Sequence, residues 1–183
     1  MTRAMRRAIW RLFVLALFAA STAQALPEAV RQGEPGGRVW NEWGSGEMTW
    51  FGIALYRATL WVADDDPQSA PSALQLLYRR DIARERLVRT SVDEMRRLGG
   101  AGVHSAQLER WESDLRRVFP DVKAGETIVG VHHPGRGASF YHRGQGTGTI
   151  DDAEFARRFF AIWLDPQCRS PELRAALLKR SPG

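Results

Sequence analysis

Apolar and polar positions alternate with a period of two along three early stretches of the chain, and with a period near 3.6 along most of the later ones. Val39–Trp43, Met48–Val62 and Ala73–Ile82 are rich in β-branched and aromatic residues, bounded by Gly44, Gly46 and the polar segment Asp64–Ser72, and predict three strands. Leu74, Leu76, Tyr78 and Ile82 mark one buried face of the third. In the second, Phe51, Ile53 and Leu55 point one way while Ala54, Tyr56 and Leu60 point the other, so both faces of that strand are expected to be covered at its centre.

Helical spacing follows. Ser91 with Glu94 has the form of a capping box ahead of Val92 and Met95, and Gly99-Gly100 stops that run. Ser105 is the expected N-cap of a second helix whose stripe is Leu108, Trp111, Leu115 and Val118, ended by Pro120. Strands return at Glu126–His133 and Ala138–Arg143 around Pro134-Gly135-Arg136-Gly137. A four-residue loop there sets His133 opposite Ala138 and puts Val129, Val131 and Phe140 on one apolar face, with His133 and His142 at its ends. Asp151 with Glu154 opens a helix burying Phe155, Phe159, Ile162 and Trp163, and Ser170-Pro171-Glu172 opens a last one. Strands, two helices, a hairpin and two helices predict an α+β domain with an antiparallel sheet.

Charge changes the picture at the N-terminus. The 183 residues carry 26 Lys and Arg against 21 Asp and Glu. Four of the basic residues, Arg3, Arg6, Arg7 and Arg11, lie in the first 25 positions with no acid among them, which leaves 22 against 21 from Leu26 onward. That near-neutral balance excludes the electrostatic footprint of a nucleic-acid binder. Arginines, the short apolar run Leu12–Ala20 and Ala23-Gln24-Ala25 together read as a secretory signal peptide over 1–25, with cleavage after Ala25. Arg6-Arg7 lacks the rest of a twin-arginine pattern, no cysteine follows the run to carry a lipid anchor, and no later stretch reaches the ~20 apolar residues of a membrane span. The expectation is a single domain over 26–183, periplasmic or secreted.

Candidate chemistry is sparse. Cys168 is the single cysteine, so no internal disulfide is available. His132 and His133 point to opposite faces of a strand, and His104, His132, His133 and His142 do not converge at metal-ligand spacing; no metal or other cofactor is expected. Asp64-Asp65-Asp66 lacks the Gly and Glu of a calcium loop, Gly144-x-Gly146-x-Gly148 leads into an extended stretch and not a helix, and G-x-S-x-G is absent. Between Arg79 and Arg97 stand seven arginines and four acids, a solvated face with local ion pairs or an anion site. Six tryptophans, Trp40, Trp43, Trp50, Trp61, Trp111 and Trp163, belong to the core or line an apolar cleft.

The order of several segments resembles the chalcone isomerase-like family. They are GSGEMTWFGIALYRATLWV at 44–62, LQLLYRRDI at 74–82, FPDVKAGETIVGVHHPGRGASFYHRGQGTGTI at 119–150, DAEFARRFFAIWLDP at 152–166 and SPELRAALL at 170–178. Within them, Phe51-x4-Tyr56-x3-Leu60, Lys123-x-Gly125-Glu126 and the helix ending Ile162-Trp163-Leu164 carry most of the likeness, which is to the exported bacterial branch and covers about 38–178. The resemblance implies a curved antiparallel sheet packed on one side by a helical layer, with a cleft between them. It also implies one of two activities: cyclisation of a chalcone by intramolecular oxa-Michael addition, as in the plant enzymes, or fatty-acid binding without reaction.

Carried over position by position, the resemblance places Met48 where the enzymes have an arginine for the anionic oxygen, Tyr56 at a strand threonine, His104 at a tyrosine near the substrate ketone and Ile162 at a hydroxyl residue. Asp165 stands where the family has Gly. A thioether cannot act as a guanidinium does. The chain is therefore expected to be a non-catalytic binder of a small apolar or lipid-like molecule, with Met48, Trp50, Tyr56, Tyr78 and His104 lining its cleft. Two alternatives stand beside this: an intramolecular lyase using Tyr56 and His104 as hydrogen-bond donors, and a periplasmic adaptor whose arginine-rich helical face binds another protein.

Overall fold

A computed structural model of the chain describes residues 26–33, 38–63 and 71–179. The leader expected over 1–25 lies outside them. Six strands form one antiparallel sheet in chain order: β1 Trp40–Trp50, β2 Ile53–Ala63, β3 Ser72–Tyr78, β4 Thr127–His133, β5 Gly137–His142 and β6 Gln145–Ile150. Helices α2 Arg84–Gly99 and α3 Ser105–Val118 leave the sheet after β3 and return it at β4, its neighbour; α4 Ala153–Leu164 and α5 Pro171–Leu178 complete the layer. The architecture is α+β, a curved antiparallel sheet with the layer α2–α5 packed on one face, as expected.

The stretch Met48–Val62 is not one strand. Trp50 pairs with Ile53 across a two-residue turn, Phe51-Gly52, with φ of 48° and 75°. Positive φ at both central residues is the hairpin pattern whose twist matches the flanking strands. Beyond it Ala58, Leu60 and Val62 are buried on one face with Leu74, Leu76 and Tyr78 of β3, whereas on the other face Arg57 at the centre of β2 is exposed and cover comes only at Trp61 and Ala63.

Helix α2 starts seven residues before Ser91. Its first-turn donor, the Arg84 amide, is capped from another loop by the Asp121 Oδ1 at 2.7 Å, beside the bridge between Ile82 and Val122. Ser91 and Glu94 are buried in mid-helix and form no capping box. Helix α3 begins as expected to within a residue, with His104 at the N-cap. In α4 the cap is Asp152 and not Asp151: its carboxylate accepts the Phe155 amide at 2.9 Å and the Trp111 indole N–H at 2.9 Å, tying α4 to α3. Ser170 precedes α5 with Pro171 in its first turn, as read from the sequence.

The β4–β5 register is also shifted. His133 faces Gly137 and His132 faces Ala138. Gly137 belongs to β5, where a Cβ would lie 2.2 Å from the Ile150 carbonyl oxygen and only glycine fits, and Gly135, at φ 73°, supplies the turn. The slip moves Phe140 to the helix-covered face, opposite from Val129 and Val131. Phe140 joins Phe119, Phe155 and Phe159 in the main core, while Val129 and Val131 meet Leu26 and Val30 of the N-terminal segment on the other side. The short helix α1, Glu28–Gly33, was not foreseen; it covers this second cluster, to which Trp40, Trp61 and Tyr141 add.

Candidate functional site

Two glycines set one wall of the site. A Cβ on Gly44 would stand 2.3 Å from the Ala176 carbonyl oxygen, and one on Gly46 would stand 2.9 Å from both Ala176 Cβ and Leu173 Cδ1. Only residues without a side chain let α5 lie this close to β1. The G-S-G step therefore seats a helix, and it brings Leu173 over the sheet. Between α5, α2, α4 and the concave end of the sheet lies a cavity of about 930 Å³.

Its walls are mostly apolar. Met48, Trp50 and Tyr56 come from the first hairpin, Leu76 and Tyr78 from β3, and Phe159 and Trp163 from α4. A register shift between Met48 and Thr49 leaves Leu55 without an opposite residue, and the resulting bulge lets Leu55 and its neighbour Tyr56 both reach the cavity. Four of the five residues expected to line a cleft, Met48, Trp50, Tyr56 and Tyr78, are brought together here. His104 is not; it is exposed at the start of α3 and outside the lining.

The Tyr56 hydroxyl is one of two phenol groups on the cavity wall, with that of Tyr78. It accepts the Trp163 indole N–H at 2.9 Å, which leaves its own proton to donate, and its ring meets Tyr78 edge to face at 5.8 Å. Burial pushes the Tyr56 phenol up to about 12; the Trp163 bond opposes this and the negative charge of Glu94 adds to it. Tyr78 is raised further, again by burial first and by Tyr56 second. Both phenols are neutral donors at any physiological pH, not bases.

Charge collects at the other side of the cavity. Glu94, buried on α2, accepts from Arg97 at 2.8 Å and from Arg169, and Arg97 also donates to the Gln167 carbonyl at 3.0 Å, so one carboxylate joins α2 to the loop before α5. The arginine-rich run divides in two. Arg79 pairs with Glu47, Arg96 with Asp93 and Arg97 with Glu94, whereas Arg80, Arg86 and Arg89 line the cavity without a carboxylate at ion-pair distance among the described residues. These three, with Glu94 and Leu173, are site residues the sequence reading missed, while Trp163, read as core or cleft wall, lines the cavity. Leu87, Ser91 and Glu94, spaced i, i+4, i+7, all line the cavity and are the signal that would have marked one face of α2.

Three of the four histidines have structural partners. His133 Nε2 meets Ser139 Oγ at 2.9 Å, His142 Nε2 meets Glu126 Oε2 at 2.9 Å, and the His132 ring lies 5.1 Å from Phe160. Among the described residues no three His, Cys, Asp or Glu side chains are grouped to hold a metal ion. Cys168 is buried at the cavity edge, its thiol 3.5 Å from the Ser170 carbonyl oxygen. No described helix is long and apolar enough to cross a membrane.

A sheet with a one-sided helical layer and an apolar cavity between them defines the class of protein. Residues 44–179 match the family model described as chalcone isomerase-like, and the chain belongs to that family. No curated protein matches the sequence. Among solved structures, the chain is similar to the crystal structure of an Arabidopsis thaliana fatty-acid binding protein, with a TM-score of 0.58 at 12% identity over 76% of this chain and 86% of that one. At that identity the likeness concerns the fold.

Proposed function

We propose that this protein is an exported, non-catalytic member of the chalcone isomerase-like family that holds a small amphipathic, lipid-like molecule in the cavity between sheet and helices. The observation that carries the reading is the cavity itself. Its volume of about 930 Å³ lies within the ~300–1,000 Å³ of small-molecule sites. Its walls are mostly apolar, two neutral phenols, Tyr56 and Tyr78, are available as donors inside, and arginines stand at the edge. The solved structure with the same fold belongs to a fatty-acid binding protein, which supports a ligand with an acyl chain. Met48, at the position of the enzymes' arginine, lines the cavity with a thioether where an anionic intermediate would need a cation. Export rests on the signal-peptide pattern of residues 1–25.

Native mass spectrometry of the protein recovered from a periplasm without detergent tests this reading. A defined extra mass that leaves on denaturation and extracts into organic solvent is the expected result; protein that neither retains nor takes up any apolar molecule overturns it. The lyase reading has one observation in its favour, the protonated Tyr56 phenol in an apolar site. It has lost its second donor, because His104 is outside the cavity. Turnover of an unsaturated ketone that Tyr56→Phe abolishes would establish it. The adaptor reading required an apolar patch on the arginine-rich helices. The large exposed apolar side chains among the described residues are Val39, Trp50, Phe51, Ile53 and Leu178, and none is on α2 or α3.

A further inference from the structure

Three of those exposed side chains are contiguous at the β1–β2 turn. Phe51 is 89% exposed, Trp50 50% and Ile53 46%, and Phe51 holds a φ of 48°. A turn with both central residues at positive φ takes Asn-Gly or Asp-Gly at least cost, and a bulky residue at the first position is strained. Phe51 thus carries two costs at once, a strained backbone and an aromatic ring in water. Its ring contact is Trp50 alone among the described residues, edge to face at 5.1 Å. Neither cost is repaid by packing within the fold.

The turn also stands at the mouth of the cavity. Trp50 and Leu55 line it, and the Arg79 amide donates to the Leu55 carbonyl at 2.8 Å, so Arg80 lies at the same end of the sheet as the turn. Arg86 and Arg89, on the first two turns of α2, line the same cavity. Of the described acids there, Asp93 pairs with Arg96 and Glu94 with Arg97 and Arg169, while Asp81, whose carboxylate accepts the Ala124 amide, is the one acid outside an ion pair, against three guanidinium groups. Uncompensated charge around the mouth is therefore positive.

We propose that the Trp50–Ile53 turn, with Arg80, Arg86 and Arg89 beside it, docks this protein on an anionic lipid bilayer, so that the cavity opens toward the surface from which its ligand is drawn. An aromatic pair on a rigid hairpin suits the boundary between headgroups and acyl chains, and guanidinium groups suit lipid phosphates. The docking stands on the turn and its charges; only the drawing of a ligand rests on the function proposed above.

The test is flotation of the full chain, as cells process it, with vesicles of phosphatidylcholine alone or of equal parts phosphatidylcholine and phosphatidylglycerol. Wild type is expected to float with the anionic vesicles and to be released by salt. Phe51→Asn removes the ring but suits the positive φ, so it is expected to lower partitioning about tenfold or more with no loss of melting temperature. Arg80→Glu is expected to weaken binding to anionic vesicles only. Wild type that stays unbound, or Phe51→Asn that floats equally well, overturns the proposal. So does a wild-type dimer that Phe51→Asn turns into a monomer, which would assign the turn to a second copy of the chain. Ligand retention is read separately by native mass spectrometry. Retained ligand without vesicle binding overturns docking and leaves the proposed function standing, loss of both overturns both, and vesicle binding without any ligand overturns only the uptake step.

Discussion

The Trp163 indole N–H donates to the Tyr56 hydroxyl at 2.9 Å, joining α4 to β2 across 107 positions of sequence at the floor of the cavity. Tyr56→Phe leaves that indole donor without an acceptor in a part-buried site, at a cost of about 1–3 kcal/mol. It also removes one of the two phenol donors on the cavity wall. Urea unfolding is expected to show the loss of stability. Ligand titrations are expected to show weaker retention of molecules with a carbonyl or carboxyl group and unchanged retention of plain hydrocarbons. Equal losses for both ligand types would mean that Tyr56 acts through packing alone.

Asp152 serves two donors at once, the Phe155 amide and the Trp111 indole. Burial opposes its ionisation, but the Trp111 bond and the amides of Phe155 and Glu154 outweigh it and hold the carboxyl below its usual range. A carboxyl with a lowered folded-state pKa contributes stability above its unfolded value, near 3.8, and loses it as the pH falls through the folded one. Stability is therefore expected to decline below about pH 4. Asp152→Asn keeps a capping oxygen but presents only one acceptor to two donors. It is expected to cost about 1–2 kcal/mol at pH 7 and to flatten this part of the acid limb, as read by denaturant midpoints at stepped pH.

Those two residues also show what the sequence could and could not reveal. The stripe Leu108, Trp111, Leu115, the cap region near Asp152 and the Ser170-Pro171 start are local signals, written in residues three or four apart, and they were legible to within a residue. The start of α2 was not, because its cap is Asp121, 37 positions away. The first hairpin was missed because Phe51-Gly52 does not carry the usual Asn-Gly or Asp-Gly of such a turn, and its strain has no counterpart in composition. Met48 and Tyr56 were placed by the family resemblance, and a strand's period of two puts Trp50 on the same face as Met48. His104 was misplaced because it was positioned across a loop, where no period constrains the reading. Glu94 looked like a cap because a carboxylate three residues after a serine has the same spelling in mid-helix.

Gly44 and Gly46 make unequal predictions. A Cβ on Gly44 meets backbone oxygens of Ala176, Leu177 and Lys179 at 2.3 to 2.8 Å, which can yield only if α5 moves. On Gly46 the nearest atoms are Leu173 Cδ1, which can turn aside, and Ala176 Cβ, which is fixed to the helix and needs only a small shift of α5 from 2.9 Å. Gly44→Ala is expected to cost about 2–3 kcal/mol or more and Gly46→Ala less, about 1–2 kcal/mol. Thermal unfolding gives the order. Since α5 carries Leu173 into the cavity wall, Gly44→Ala is also expected to weaken ligand retention, and a destabilised variant that retains ligand as wild type does would separate the helix from the site.

Tyr56 and Tyr78 are two of the three tyrosines in the chain, and burial raises the pKa of both. A phenol whose folded-state value exceeds its unfolded one, near 10, contributes stability that is complete below that value and is lost as the pH rises toward the folded one. Above pH 10 the unfolded chain releases these protons while the folded chain keeps them, so alkali favours unfolding. Absorbance at the tyrosinate band is expected to show two phenols that stay protonated at pH 10.5 while the protein is folded and ionise together with loss of structure. Tyr78→Phe removes one of the two without deleting a ring from the core, and is expected to shift the alkaline unfolding midpoint to higher pH. A midpoint that stays in place would mean that the neutral phenols do not govern the alkaline limit.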